Sequence, residues 1–219
     1  MTDFVESREW YLAAYCPEGV PTTDHLKLRT VSLSLHSDSI PDNHLVVETL
    51  LLSVDPYLRG RITGSLGGLF ISQYQLNQLA KIRGCRVIGS TGSDDKVKLI
   101  KEEFGYDDGF NYNMETDYDA ALSMYFPHGI DVYLDNVGGK MLEAVLNNHV
   151  NKHARTPLCG MISQYNKVWT EREGVRNLLN MVGKEVRMEG FMLESYWYRF
   201  RDFAKVWKDT YKKAKLSPR

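Results

Sequence analysis

Strand-like and helix-like segments alternate from residue 68 onward, and this alternation limits the possible folds more than any other feature. The strand-like segments are short and apolar, whereas the segments between them are charged and have helical spacing. In chain order the pairs are "RVIGST" and "DDKVKLIKEEFG", "GFNY" and "DYDAALSMYF", "IDVYLDNVGG" and "KMLEAVLNN", "TPLCGMIS" and "VRNLLNMVG", and "VRMEGFML" and a long last helix. Such alternation predicts an α/β fold with a parallel sheet and helices on both of its faces.

The first part of the chain has a different pattern. Its apolar segments are "EWYLAAYC", "LKLRTVSLSL" and "HLVVETLLLSVD", and turn-forming residues separate them. Segments of this kind are typical of β-strands. We therefore predict a β-rich region at residues 1–67 and an α/β region at residues 68–219.

Composition excludes several classes of protein. The 219 residues carry a net charge of -1, so bulk charge gives no support for a nucleic-acid or membrane partner. Cys16, Cys85 and Cys159 are far apart and lack the spacing of a zinc site, so we expect no metal and no disulfide. An acidic start and the lack of a long apolar run favour a cytoplasmic protein.

The turn after "RVIGST" has residue types that suit a phosphate group. In Rossmann-type units that bind NAD, an acidic residue here binds the ribose, whereas the 2′-phosphate of NADP needs space and a cation. Gly92 and Ser93 give space, Lys96 gives the cation, and Ser93 can cap a helix whose free N–H groups favour an anion. The residues predict an NADP phosphate site, and the alternative is a capped surface helix with an ordinary lysine.

Small and polar residues follow two other strand-like segments. They are Asn136, Gly138, Gly139, Cys159, Gly160 and Ser163. Ligands of doubly wound sheets bind at the carboxyl ends of the strands, so these residues are predicted to face one crevice. The glycines also suit an ordinary turn into a helix, and a free cysteine is more often a small buried hydrophobic residue.

Two tyrosines lie near predicted strand ends. Tyr165 follows "CGMIS", and Tyr57 lies in "SVDPYLRGR". A tyrosine hydroxyl can donate a proton or orient a carbonyl group. Because the chain contains 13 tyrosines, a role in packing is the alternative for both.

Several long segments together resemble the plant-type NADP-dependent 2-alkenal (double-bond) reductases. These belong to the zinc-independent branch of the medium-chain dehydrogenase/reductase superfamily, with the prostaglandin reductases. The matching segments are "LLSVDPYLRGRITG", "GCRVIGSTGSDDKVKLIKEEFGYDDGFNY", "GIDVYLDNVGGKMLEAVL", "CGMISQYN" and "VRMEGFML". The resemblance implies a partial Rossmann-type sheet preceded by an incomplete GroES-like β-rich region.

The resemblance also implies a reaction and a set of site residues. The reaction is hydride transfer from NADPH to the β-carbon of an α,β-unsaturated aldehyde or ketone, with protonation of the enolate. Tyr165 matches the proton donor and Tyr57 a substrate-pocket residue. The implied cofactor-binding residues, Tyr165 among them, are Gly92, Lys96, Tyr112, Asn136, Cys159, Phe191, Met192 and Leu193. The implied partners are a small carbonyl substrate and a second copy of the chain in a homo-oligomer.

The chain departs from the family pattern between "DPYLRGR" and "LAKIRGC". Only residues 58–78 separate Tyr57 from Leu79, where family members carry the rest of the catalytic domain and the glycine-rich phosphate loop. The C-terminus also lacks the family's closing strand, so the chain has the character of a shortened form. Leu69 to Ser72 is predicted to replace the missing strand, between those at Arg86 to Thr91 and Ile130 to Asn136, but its turn lacks glycine.

Two alternative functions stay open at this point. One is a quinone-reductase-type enzyme that acts on other enones. The other is a non-catalytic fragment that associates with full-length subunits, since an incomplete sheet exposes strand edges.

Overall fold

The computed structural model describes residues 4–42, 45–47, 49, 58–63, 80–81, 83–206 and 208. The chain divides into two compact units. The first contains Met1–Gly67 and Tyr165–Glu171, and the second contains Gly68–Gln164 and Arg172–Arg219.

A β-hairpin dominates the described part of the first unit. β1 (Phe4–Leu12) pairs with β2 (Leu26–Ser34) in antiparallel register, from Phe4 opposite Ser34 to Leu12 opposite Leu26. β1 begins earlier than the predicted segment "EWYLAAYC" and ends at Leu12, because the N–H groups of Ala13 and Ala14 turn to the His25 carbonyl. The unit also contains the short helix α1 (Leu58–Ile62). Residues 45–47 and 49, within the predicted third strand, have no strand structure.

The second unit has the alternating pattern that the sequence predicts. In chain order it contains β3 (Ile88–Thr91), α2 (Asp94–Glu102), β4 (Asp108–Asn111), α3 (Tyr118–Tyr125), β5 (Ile130–Val132), α4 (Gly139–Ala144), β6 (Val150–Leu158), α5 (Leu179–Lys184) and β7 (Arg187–Gly190). A π-helical turn (Val145–His149) extends α4, and a 3-10 helix (Leu193–Arg199) precedes helical residues 200–206.

The strands of the second unit pair in parallel, which confirms the α/β, Rossmann-type prediction. They form two sheets, β3 with β4, and β5 with β6 and β7. Both sheets share one core, because Phe110 of β4 packs in the same buried cluster as Ile130 and Val150. Leu69 to Ser72, predicted to lie between the sheets, is outside the described residues, and its strand stays a prediction that an experimental structure will test.

Helix α4 and its π-turn supply the centre of this core. Leu142, Val145 and Leu146 are all fully buried against the strands. The π-turn leaves backbone carbonyls without partners inside the helix, and side chains of α5 bind them. Asn180 Nδ2 donates to the Leu146 and Asn147 oxygens, and Lys184 Nζ donates to those of Asn148 and Val150. These bonds hold α5 against α4.

Strand β6 differs most from the sequence prediction. The predicted strand "TPLCGMIS" begins at Thr156, but in the structure β6 follows the π-turn directly and begins at Val150. β6 ends at Leu158, so Cys159 lies in the turn after it. Between the pairs Ile130–Val150 and Val132–Arg155 the register shifts, and His153 has a φ of 62°. The pairing of β6 with β5 is therefore irregular between these two pairs.

Candidate functional site at the strand ends

Gly92 and Tyr112 lie together at the end of β3. The Tyr112 N–H donates to the Thr91 carbonyl at 2.9 Å, and the Asn113 side chain donates to the Gly92 carbonyl at 2.9 Å. A Cβ atom on Gly92 would lie 2.9 Å from the Tyr112 hydroxyl oxygen. Any larger residue at 92 would therefore displace the phenol ring, so the close approach requires glycine.

Ser93 caps helix α2 beside this pair. Its hydroxyl oxygen accepts the Lys96 backbone N–H at 3.3 Å, and the Thr91 hydroxyl donates to the Ser93 carbonyl at 3.1 Å. The side chain of Lys96 is exposed. This geometry fits both interpretations from the sequence, since a capped helix start is also where an anion is favoured.

Tyr118 begins helix α3 and packs against the main buried cluster, as do Tyr112 after β3 and Val137 after β5. Burial raises the pKa of the Tyr118 hydroxyl, and electrostatic interactions with Tyr112 and Glu173 raise it further. Glu173 lies against Gly139, because a Cβ on Gly139 would clash with a Glu173 carboxylate oxygen. The segments after β3 and β5 therefore pack against one buried cluster.

The segments after β5 and β6 are bound to each other through their backbones. The Asp135 carbonyl accepts the N–H groups of Cys159 and Gly160 at 2.8 and 3.2 Å, and the Asn136 carbonyl accepts that of Ile162 at 2.9 Å. The predicted neighbours Asn136 and Cys159 are thus brought together. Asn136 Nδ2 is buried and has no hydrogen-bond partner among the described residues.

A cavity of about 600 Å³ opens beside Cys159. It is lined by Leu158, Cys159, Gly160, Met161, Gly190, Phe191, Met192, Ser195 and Tyr196. Burial raises the pKa of the Cys159 thiol, which favours its neutral form. Of the predicted cofactor-binding residues, Cys159, Phe191 and Met192 line the cavity, whereas Leu193 begins the following 3-10 helix and is not among the lining residues.

The predicted proton donor belongs to the first unit. Tyr165 is half-buried, and the neighbouring Asn166 accepts a hydrogen bond from Arg59 Nε at 2.9 Å. Arg59 is buried and also donates to the carbonyls of Cys16 and Gly19, at 2.7 and 2.9 Å. The segment "SVDPYLRGR" does not indicate these partners of Arg59, because they lie far from it in the chain. Tyr57 is outside the described residues.

No group of three or more His, Cys, Asp or Glu residues in the described ranges could hold a metal ion. Among the same residues, no helix has the length and apolar character needed to cross a membrane.

Strand ends that carry small and polar residues beside a large cavity, in a parallel α/β unit, define a dinucleotide-binding type of fold. The chain belongs to the zinc-binding dehydrogenase family, whose sequence profile matches residues 76–209. The predicted membership in the medium-chain dehydrogenase/reductase superfamily is thereby confirmed. The zinc in the family's name has no suitable ligand set in the described part of this chain.

Individual relatives agree with this assignment. The chain is 50% identical to (+)-pulegone reductase of Mentha piperita over 143 residues, which are 65% of this chain and 39% of the relative. It is 50% identical to the NADP(+)-dependent 2-alkenal reductase of Nicotiana tabacum over 131 residues, 60% of this chain and 37% of the relative. The matched part therefore spans well under half the length of these relatives.

A solved structure supports the fold over nearly the whole chain. The crystal structure of CurA from Vibrio vulnificus in complex with NADPH matches with a TM-score of 0.71 and 21% identity. The match covers 97% of this chain and 90% of that chain. At this level of identity the similarity concerns the fold alone.

Proposed function

We propose that this chain is the nucleotide-binding part of an NADPH-dependent reductase that acts on the C=C bond of α,β-unsaturated aldehydes or ketones. The observation that carries the proposal is the strand-end surface, where Gly92 approaches Tyr112 and the segment after β5 lies against Cys159. The names of the two plant relatives, pulegone reductase and 2-alkenal reductase, support the reaction class.

The residues at this surface fit NADP(H). Gly92 lies against the Tyr112 hydroxyl, and the helix cap at Ser93 with Lys96 favours a phosphate. The unpaired, buried amide nitrogen of Asn136 offers a donor to a polar group of a ligand. The cavity beside Cys159, Phe191 and Met192 is lined mostly by apolar and aromatic side chains, which suits a flat ring.

Each part of the chain has a proposed task. When bound, NADPH supplies the hydride. Gly92, Lys96 and Tyr112 bind its adenosine side, and Asn136, Cys159, Phe191 and Met192 line its reactive side. Tyr165 gives a proton to the α-carbon, and Tyr57 contacts the substrate. Leu193 supports the cavity through the 3-10 helix that it begins. A cytoplasmic location, a homo-oligomer, and a domain boundary between residues 67 and 68 stay predictions.

We expect Lys96→Ala to lower the affinity for NADP by about tenfold, because it removes the cation beside the 2′-phosphate. The affinity for NAD should not change, since NAD lacks that phosphate. Calorimetric titration of both nucleotides measures the difference. Lys98→Ala is the matched control, because Lys98 is also exposed on α2. Equal NADP affinities of wild type and Lys96→Ala would show that Lys96 does not contribute to binding of the 2′-phosphate.

Turnover assays separate the alternatives that the sequence leaves open. NADPH consumption with a 2-alkenal supports the proposed reaction, and consumption with quinones alone supports a quinone-reductase-type enzyme. If the chain binds no nucleotide and instead co-purifies with a full-length relative, it acts as a non-catalytic fragment.

A further inference from the structure

Asp135 is a buried carboxylate whose bonds all go to the residues around the candidate site. It is 0% exposed, and an aspartate is rarely buried to this extent unless its carboxylate is paired. Its Oδ1 accepts the backbone N–H groups of Val137 and Gly138 at 2.9 and 3.0 Å and the hydroxyl of Tyr133 at 3.2 Å. The side chain therefore fixes the turn that leads from β5 into α4.

The backbone of Asp135 fixes the opposite side of the same region. Its N–H donates to the Pro157 carbonyl at 3.0 Å, and its carbonyl accepts from Cys159 and Gly160. Asp135 therefore bonds to the turn after β5, which contains Asn136, through its side chain. It bonds to the turn after β6, which contains Cys159, through its backbone.

The turn needs this support because its backbone is unusual. Gly138 and Gly139 have φ values of 67° and 58°, and α4 begins without a side-chain cap from Gly138. The first N–H groups of a helix lack partners within the helix, so an acceptor must come from elsewhere. From inside the core, Asp135 accepts the N–H of Gly138, the residue directly before α4, and that of Val137 before it. An ionised acceptor makes a stronger hydrogen bond than a neutral one.

Tyr133 donates the third hydrogen bond to Asp135 Oδ1. Burial is the main cause that raises the pKa of the Tyr133 hydroxyl well above its usual value, and the charge of Asp135 and the hydrogen bond to it raise it further. Tyr133 therefore remains a neutral donor to Asp135. By contrast, Asp135 Oδ2 is buried and has no partner among the described residues, so only one carboxylate oxygen organises the turn.

We propose that Asp135 is a positioning residue that holds Asn136 and Cys159 in the geometry needed to bind the reactive end of NADP(H). The proposal rests on the proposed function for the nucleotide, but its structural part is testable without it. Because Oδ1 alone makes the bonds, Asp135→Asn retains an oxygen that can accept them, whereas Asp135→Ala does not.

The test combines amide hydrogen exchange with nucleotide titration on the full chain. In Asp135→Ala we expect faster exchange at Val137 and Gly138 and an NADPH affinity lower by about tenfold, since two backbone donors lose their acceptor. Asp135→Asn should restore protection and bring affinity to within about threefold of wild type. Tyr133→Phe should not change the exchange protection of the Val137 and Gly138 amides, because both amides donate directly to Asp135.

Asp117→Ala is the control for general loss of stability. Asp117 also accepts a backbone N–H at a helix start, from Ala120 at 3.1 Å, but it lies before α3. This variant should lower Tm without changing NADPH affinity or exchange at Gly138. If Asp135→Ala does not fold, Asp135→Asn decides the proposal by the same two measurements.

The outcomes are distinct. Unchanged protection of Val137 and Gly138 in Asp135→Ala, or lost protection in a folded Asp135→Asn, would overturn the proposal. If Asp117→Ala lowers the NADPH affinity as much as Asp135→Ala does, the loss of affinity results from lower overall stability. That result would also overturn the proposal. If wild type binds no NADPH, the proposed function fails, whereas the exchange pattern still determines whether Asp135 holds the turn.

Discussion

The purified chain should reduce a simple 2-alkenal at a rate more than about tenfold below the roughly 10 s⁻¹ of a median enzyme, or not at all. Hydride transfer requires the nicotinamide and the alkene to be held in near-attack geometry, and such positioning can supply roughly 7–11 kcal/mol of the barrier. Only residues 58–78 separate Tyr57 from Leu79, and they contain no glycine-rich loop of the GxGxxG type. Side chains such as Tyr165 cannot position the nicotinamide when the pyrophosphate of the cofactor is not anchored.

The assay follows the loss of NADPH absorbance with and without the enal. Turnover within about tenfold of the median value would contradict the expectation and would mean that the chain anchors the cofactor in another way. Nucleotide titration on the same sample separates the causes. Tight NADPH binding without turnover would indicate a missing substrate pocket, whereas weak binding would indicate the missing phosphate loop.

Gly89→Ala should lower the free energy of unfolding by about 1–3 kcal/mol, the usual effect of overpacking a core. Gly89 of β3 lies opposite Gly109 of β4, and together they leave the space that Ile100 of α2 fills. A Cβ on Gly89 would lie 2.5 Å from Ile100 Cδ1 and 2.8 Å from Tyr106 Cε1. Ile100 and Tyr106 are themselves buried, so neither has room to move.

Urea denaturation measures this loss, and Gly190→Ala is its matched control. Gly190 is also a strand residue, at the end of β7, but a Cβ there would meet nothing within 4 Å. Its unfolding free energy should stay within about 0.5 kcal/mol of wild type, as for most unconstrained surface changes. Equal stability of Gly89→Ala and Gly190→Ala would show that α2 can shift away from β3 without cost.

Much of the second unit follows from local sequence patterns. Helices α2 and α3 begin where the sequence places Ser93 and Asp117 before a helical segment, because side-chain caps act within a few residues. The order of strands and helices and the parallel pairing follow from hydrophobic periodicity in the same way. The family resemblance implies cofactor-binding roles for Gly92 and Tyr112, which stay predictions, and the structure places the two residues side by side.

Other features depend on contacts between residues far apart in the chain, and local patterns do not show these. The π-turn before β6 is held by the side chains of Asn180 and Lys184, which donate to the carbonyls of Leu146, Asn147 and Asn148. No property of "LNNHVNKHARTPL" by itself indicates those partners.

The sequence by itself determined the class of fold, the family and the strand ends at which a nucleotide is expected, because periodicity and motif order are properties of neighbouring residues. Only the tertiary structure decided which residues hold those strand ends in place. Asp135 follows an apolar strand as many aspartates do, and its importance depends on complete burial and on bonds to two separate turns. Burial and hydrogen-bond partners arise when distant segments pack together, so they exist only in the folded chain.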